Sequence, residues 1–188
     1  MSFESLLPAI EPLRWRSITV ASLVAVEVAL AWRLGWSPAL PATLFLGAAL
    51  TVAAVVDAAT SRVPNVLVLP AYPAGPALFA VAAGIDGQWW PLVRAVFGMA
   101  GVVGFYLALA LGTGGKKMGL GDVTAGGLTG LLLGWTGFPA VFAGVLLGWA
   151  AALVAVVVLG RVPTRKRGSI PAVPWLWLGA LVVLLVAR

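Results

Sequence analysis

Seven long apolar runs, joined by short polar segments, leave this chain few possible folds. The runs cover about residues 17–35, 40–56, 66–84, 90–111, 123–135, 138–159 and 171–187. A helix needs roughly 20 mostly apolar residues to span a bilayer, whereas membrane-spanning strands are shorter and alternate in polarity. Charged residues form only 10% of the chain, against about 25% in soluble domains. The sequence therefore predicts an all-α, polytopic bundle of about six to seven transmembrane helices.

Two of the runs differ from a regular span. The run at 123–135 is short, which indicates a tilted or partly embedded segment. The run at 66–84 contains Pro70, Pro73 and Pro76. Each proline removes a backbone donor, so a kinked or interrupted helix is expected there. No composition change divides the chain, and residues 1–188 are interpreted as a single membrane domain.

The basic residues predict the orientation of the bundle. With seven spans, Arg33, Arg94 and Arg188 fall on one side, and nine basic residues fall on the other. The nine are Arg14, Arg16, Arg62, Lys116, Lys117, Arg161, Arg165, Lys166 and Arg167. Because Lys and Arg accumulate in cytoplasmic loops, the second side is predicted to be cytoplasmic, with 1–16 as a cytoplasmic N-terminal segment. Insertion into a bilayer with anionic lipid also explains the net charge of +6 without a nucleic-acid partner.

Two residue types that carry much of enzyme chemistry are missing, since the chain contains no Cys and no His. A thiol nucleophile, a Ser-His or Cys-His pair and a metal site ligated by His or Cys are therefore excluded. No metal and no cofactor are predicted. A catalytic carboxylate must be one of the six acidic residues, which are Glu4, Glu11, Glu27, Asp57, Asp86 and Asp122.

Two of these acidic residues, Asp57 and Asp122, are predicted to lie at the same membrane face. Asp57 closes the second apolar run and Asp122 opens the fifth, so alternating spans bring both to the cytoplasmic side. Two close carboxylates cannot both ionise easily and share one proton. The ionised member can then take a proton from water while the protonated member donates to a peptide carbonyl. The pair can therefore hydrolyse a peptide bond without metal, His or Cys.

The residues around the two aspartates fit this chemistry. Gly119 and Gly121 precede Asp122, and their lack of a side chain lets an extended substrate backbone approach closely. Pro64 follows Asp57 and fixes a turn, and Asn65 can cap the start of the third span.

Other interpretations of these residues are open at this point. Asp122 before an apolar run is also typical of a helix N-cap, and Asp57 could be an interfacial carboxylate with Arg62 as its counter-ion. A small secondary transporter or proton-coupled permease also uses membrane carboxylates and broken helices, although its carboxylates usually lie near the midplane. A non-catalytic membrane assembly subunit is a third alternative, but it would not require both aspartates.

At these residues the chain resembles the type IV prepilin peptidases, membrane aspartic proteases of the G-x-G-D type. Asp57 followed by Val63-Pro64-Asn65 resembles the first motif of that family, and Gly119-Leu120-Gly121-Asp122-Val123 resembles the second. A weaker similarity lies at Ile170-Pro171-Ala172-Val173-Pro174, which resembles the Ile-Pro-x-x-Pro segment that opens the last helix of the family.

The resemblance implies an endopeptidase with Asp57 and Asp122 as its catalytic pair. Its substrates would be type IV prepilins or pilin-like Flp-type precursors, which carry a short basic leader, commonly ending in Gly, before a hydrophobic helix. Cleavage would take place at the cytoplasmic face of the prokaryotic cytoplasmic membrane.

Two features differ from the family pattern. Thr124 stands where the family often has Lys, which leaves Lys116, Lys117 or Arg62 as possible replacements. Larger bacterial members also carry a Cys-containing cytosolic domain and N-methylate the trimmed pilin. Because this sequence has no Cys and no long cytoplasmic insertion, peptidase activity without methyltransferase activity is expected.

Two further charged residues fall inside predicted spans. Glu27 lies near the middle of the first, where an isolated charge is costly, so it should be protonated or paired with a polar group on another helix. Arg94 lies one turn inside the fourth and is expected to extend toward the outer interface, without a catalytic role.

Overall fold

The computed structural model describes residues 13–63, 65–112, 119–159 and 171–186, and these ranges form a helical bundle. In the described part there are seven helices and no strand: α1 Leu13–Leu34, α2 Leu40–Thr60, α3 Asn65–Asp86, α4 Trp90–Gly112, α5 Leu120–Thr136, α6 Phe138–Leu159 and α7 Val173–Val186. Five of these, α1 to α4 and α6, are long and apolar enough to cross a membrane. The prediction of an all-α, polytopic membrane bundle is confirmed.

Three helix boundaries refine the sequence-based expectations. Helix α2 continues to Thr60, because Ala58 and Ala59 are strong helix formers, and Asp57 therefore lies within its last turn. Helix α3 passes through its three prolines without a break, so of the two expected forms, kinked or interrupted, the interrupted one is wrong. Neighbouring helices can satisfy the carbonyls that the prolines leave free. Helix α5 begins at Leu120, three residues earlier than predicted.

Helices α2 and α5 form the centre of the bundle. Helix α2 packs against α1, α3, α5 and α7, and α5 packs against α2, α3, α4, α6 and α7. Most residues of both helices are buried, whereas few residues of α1 and α6 are buried. The two central helices are also the ones that carry Asp57 and Asp122.

Glycines bring α4 and α5 into unusually close contact. A Cβ atom at Gly130 would lie 2.5 Å from the carbonyl oxygen of Gly98, and a Cβ atom at Gly134 would lie 2.7 Å from the carbonyl oxygen of Arg94. One turn earlier, the ring of Tyr106 occupies the space that a side chain at Gly126 would take. Small residues four apart, such as Gly126, Gly130 and Gly134, favour close packing of this kind.

The two ends of α5 carry opposite charges. Asp122 lies in its first turn, and at the other end the Arg94 guanidinium donates a hydrogen bond of 3.1 Å to the carbonyl oxygen of Trp135. Both charges are favourable to the helix dipole, since acidic groups stabilise helix N-termini and basic groups stabilise C-termini. Arg94 is half-buried in this position, and the bond and the charge favour the end of α5, although its Nε atom has no hydrogen-bond partner among the described residues.

The orientation of the bundle stays a prediction. Among the nine basic residues on the predicted cytoplasmic side, those of the segments 113–118 and 160–170 lie outside the described residues. These are Lys116, Lys117, Arg161, Arg165, Lys166 and Arg167.

Candidate active site

Asp57 is buried at the junction of three helices. Its side chain is only 3% exposed, and its Oδ2 atom accepts a hydrogen bond of 3.2 Å from the backbone N–H of Val173. Val173 is the first residue of α7, and N–H groups at a helix start have no partner within the helix. The third motif of the sequence, of which 171–174 is described, thus supplies a donor to the first aspartate.

Asp122 is held within the first turn of α5. Its Oδ2 atom accepts a hydrogen bond of 3.1 Å from the backbone N–H of Gly119. Gly119, with an extended backbone, is the N-cap residue of the helix, and Asp122 is the third helical residue. The alternative that Asp122 is itself the N-cap is therefore wrong, because the helix already begins two residues before it.

The fold brings the two aspartates together. They are close enough for the charge of Asp122 to act on the carboxyl group of Asp57. In the described part of the chain no hydrogen bond joins the two carboxylates, and each is held by a backbone amide of its own.

The segment after Asp57 also reaches the second motif. Ser61 ends α2 in the left-handed region, with φ +52°, and its N–H donates to the carbonyl oxygen of Asp57 at 2.7 Å. This tight end turns the chain so that Val63 packs directly on Gly121. Two motifs that are remote in the sequence are therefore in direct contact.

The basic residues predicted to support the site are only partly described. Arg62 is exposed, and among the described residues no ion pair joins it to Asp57 or Asp122, so the alternative in which Arg62 is the counter-ion of Asp57 is not seen. Its predicted role as a supporting residue of the site stays a prediction. The end of α2 directs the Arg62 side chain outward, whereas the Asp57 carboxylate is turned inward to α7. Lys116, Lys117, Pro64 and the side chain of Asn65 lie outside the described residues, and their roles stay predictions.

Thr124, which replaces the common Lys of the family, turns toward its own helix. Its hydroxyl donates to the carbonyl oxygen of Gly121 at 2.9 Å. Its own carbonyl oxygen accepts a hydrogen bond of 2.9 Å from the hydroxyl of Tyr72 on α3. Thr124 therefore contributes to the first turn of α5 and brings no charge to the site.

Two tyrosines near the site were missed at the level of the sequence. Tyr106 of α4 is 3% exposed and accepts a hydrogen bond of 3.1 Å from the indole Nε1 of Trp149. It lies within the electrostatic reach of Asp122. Tyr72 and Tyr106 are the only tyrosines in the sequence, and both fall inside apolar runs. A phenol in a membrane span needs a hydrogen-bond partner. The presence of a tyrosine inside an apolar run is therefore the signal that could have identified both residues.

This arrangement is suited to moving protons. It combines two carboxylates, one deeply buried, at neighbouring ends of the two central helices. Among the described residues, no three of the types His, Cys, Asp and Glu lie close enough to hold a metal ion. One carboxylate can accept a proton while the other donates one, as general base and general acid.

Comparisons with known proteins point to one family. The family model described as the type IV leader peptidase family matches residues 44–159, a range that contains both aspartates. The chain is 35% identical over 136 residues to the prepilin leader peptidase/N-methyltransferase of Neisseria gonorrhoeae, covering 70% of this chain and 46% of that relative. The chain thus spans about half the length of this curated relative, and no solved structure matches it. From these matches and the paired aspartate motifs we conclude that the chain is a member of the type IV leader peptidase family.

Proposed function

We propose that this protein is a membrane aspartic endopeptidase that removes the leader peptide from type IV prepilins or Flp-type pilin-like precursors. Asp57 and Asp122 are its catalytic residues. The observation that carries the proposal is the meeting of these two carboxylates where α2, α5 and α7 converge. Membership of the type IV leader peptidase family, and the name of the relative from Neisseria gonorrhoeae, support the class of substrate.

The reaction needs one ionised and one protonated aspartate. The ionised carboxylate takes a proton from water, and the resulting hydroxide attacks the carbonyl carbon of the scissile peptide bond. The protonated carboxylic acid donates to the carbonyl oxygen, and a tetrahedral intermediate forms. When the C–N bond breaks, the first carboxyl group gives the proton that it took from water to the amine of the mature subunit. A hydroxyl of the intermediate returns a proton to the second carboxylate as the new carboxyl group of the leader forms, so the pair returns to its starting state. The backbone amides of Val173 and Gly119 keep both carboxylates oriented during these transfers.

The position of the two aspartates near helix ends supports this class of substrate. Asp57 is in the last turn of α2 and Asp122 in the first turn of α5, so both lie near helix ends and away from the middle of the bundle. In such a substrate a leader in water joins an apolar helix in lipid, so the scissile bond is expected near the ends of the membrane spans. The bias of basic residues favours the cytoplasmic face of the cytoplasmic membrane of a prokaryote.

The transporter alternative is less well supported. Transporter carboxylates are expected near the midplane of the bilayer, and these two lie at helix ends. A non-catalytic assembly subunit would not explain why both carboxylates converge on one junction. The peptidase interpretation accounts for the position of the two carboxylates at helix ends, for their convergence on one junction and for the family of the chain.

The decisive experiment replaces each aspartate by the isosteric Asn. The wild type, Asp57→Asn, Asp122→Asn and the control Asp86→Asn are co-expressed with a candidate prepilin, and leader removal is followed by gel shift. Asp86 is exposed at the end of α3 and lies outside the site. Loss of acid–base chemistry should reduce cleavage by about 100-fold or more in both site variants, while Asp86→Asn cleaves normally. Full processing by either site variant, with the protein folded and inserted, would exclude the aspartyl mechanism.

The same experiment tests for methyl transfer. This sequence contains no Cys and no long insertion between its predicted spans. We therefore expect the trimmed subunit to keep an unmethylated N-terminus in the presence of S-adenosylmethionine. Mass spectrometry of the product checks this, and a mass increase of one methyl group would contradict it.

A further inference from the structure

A hydrogen bond from outside α5 fixes the turn that carries Asp122. The hydroxyl of Tyr72 on α3 donates to the carbonyl oxygen of Thr124 at 2.9 Å. Thr124 is two residues after Asp122 and belongs to the same helical turn. A helical carbonyl has two lone pairs, so it can accept this bond in addition to one from its own helix.

The fit of Tyr72 depends on a glycine. Gly127 lies one turn beyond Thr124, and the Tyr72 hydroxyl occupies the position where a Cβ atom at Gly127 would be. The Cζ atom of the same ring would lie only 3.0 Å from that Cβ atom. Only a residue without a side chain at position 127 lets the phenol reach the Thr124 carbonyl.

The first turn of α5 has few other contacts that fix its position. Val63 packs on Gly121, and the Thr124 hydroxyl bonds to the Gly121 carbonyl within the same turn. The Tyr72 bond is the one hydrogen bond that joins this turn to another helix among the described residues. It therefore restricts how far the turn, and with it Asp122, can move relative to Asp57.

We propose that Tyr72 is a positioning residue for Asp122, which it holds at the catalytic distance by bonding to the Thr124 carbonyl. This inference rests on the proposed function. Tyr72 touches neither aspartate in the structure and acts through the backbone of α5. A small displacement of a catalytic group can reduce a rate by about 100-fold, so a single positioning bond can matter for turnover.

The test compares Tyr72→Phe with Thr51→Val in cleavage assays of the full chain in detergent. Tyr72→Phe keeps the ring but removes the hydroxyl. Thr51→Val removes a buried hydrogen bond of 3.0 Å between α2 and α7, donated by the Trp177 indole, that involves neither α5 nor the aspartates. Each variant loses one interhelical bond, so their thermal stabilities should fall alike. Only Tyr72→Phe should lower kcat, by about tenfold, with KM unchanged, because the bond orients Asp122 and does not contact the substrate.

Two further variants decide between positioning and general stability. Incorporation of 4-aminophenylalanine at position 72 keeps a donor and should restore most of kcat. Gly127→Ala retains the hydroxyl but takes its space, so it should lower kcat as Tyr72→Phe does, and the double variant should be no slower than the slower single variant. A Cβ atom at Gly127 would also lie 2.6 Å from Cγ2 of Val103 on α4. If Tyr72→Phe cannot be purified, the test is therefore Gly127→Ala combined with Val103→Ala, compared with Val103→Ala alone.

The possible outcomes separate this inference from the proposed function. If the wild type cleaves and Tyr72→Phe has the same kcat, or if Thr51→Val loses kcat equally, Tyr72 is not a positioning residue and the peptidase proposal stands. If the wild type cleaves no prepilin, or Asp122→Asn cleaves as well as the wild type, the proposed function fails.

Discussion

Val63 occupies the space in which a side chain at Gly121 would lie. A Cβ atom at Gly121 would be 2.7 Å from Cβ and 2.8 Å from Cγ2 of Val63. The sequence suggests that this glycine gives the substrate access to Asp122, but the structure provides a reason within the fold. The glycine lets the segment after Asp57 pack against the turn that carries Asp122, so it sets the separation of the two aspartates.

Gly121→Ala should therefore impair cleavage. The added methyl group meets the Cβ atom of Val63, which cannot move without its backbone, and overpacking of this kind costs about 1–3 kcal/mol. We expect cleavage to slow by about tenfold or more. Gly101→Ala is the matched control, because a Cβ atom there has no neighbour within 4 Å. Cleavage rates and thermal unfolding in detergent check both variants, and equal activity of the two would contradict this role of Gly121.

The N–H of Val173 should be needed to orient Asp57. Val173→Pro removes this donor at the first residue of α7, a position at which proline is tolerated in helices. A hydrogen bond to a charged group contributes about 1.5–3 kcal/mol, so we expect cleavage to fall by about tenfold or more.

Val173→Ala provides the control for this prediction. It loses part of a buried side chain but keeps the N–H, so its stability should fall while cleavage is largely retained. Cleavage assays at matched amounts of folded protein measure both effects. If Val173→Pro were as active as Val173→Ala, the bond to Asp57 would have no part in the reaction.

The sequence predicted the fold class well, but it did not predict which helices are central. Apolar length identified the helices, since seven runs correspond to the seven described helices. Hydropathy did not rank their burial: α6 is more hydrophobic than α2, yet α6 is largely exposed and α2 largely buried. In a membrane, lipid is as apolar as a protein core, so small residues such as Gly130 are a better sign of helix contacts than hydropathy.

At the site, the two aspartates could be predicted and most of their partners could not. Asp57 and Asp122 stood out because they are two of only six acidic residues and border apolar runs at the same predicted membrane face. The donors that hold them are the amides of Val173 and Gly119, and a backbone amide has no signature in the sequence. The position of Arg62 in the sequence left open that it is a counter-ion of Asp57, but the direction of its side chain is set by how α2 ends.

Arg94 should contribute to stability but not to cleavage. Its guanidinium bonds to the carbonyl of Trp135 in the last turn of α5, at the end of that helix remote from Asp122. Arg94→Met removes both the bond and the favourable charge, so the free energy of unfolding should fall by about 1–2 kcal/mol. Arg94→Lys, which keeps the charge, should lose less. Thermal unfolding in detergent tests the order, and a large loss of cleavage by folded Arg94→Met would contradict it.

Glu27 should be a source of instability in α1. Its Oε1 atom is buried and has no hydrogen-bond partner among the described residues, so the expected pairing with a polar group on another helix is not seen for this atom. The neighbouring surface is apolar and belongs to Gly47 of α2 and Leu30.

A buried polar group without a partner costs about 1–3 kcal/mol. Glu27→Met, which removes it, should therefore raise the unfolding temperature, whereas Glu27→Gln should bring a smaller gain because it keeps a polar group there. Cleavage by both variants should match the wild type. Loss of cleavage in Glu27→Met with retention in Glu27→Gln would instead indicate that a polar group at this position takes part in function.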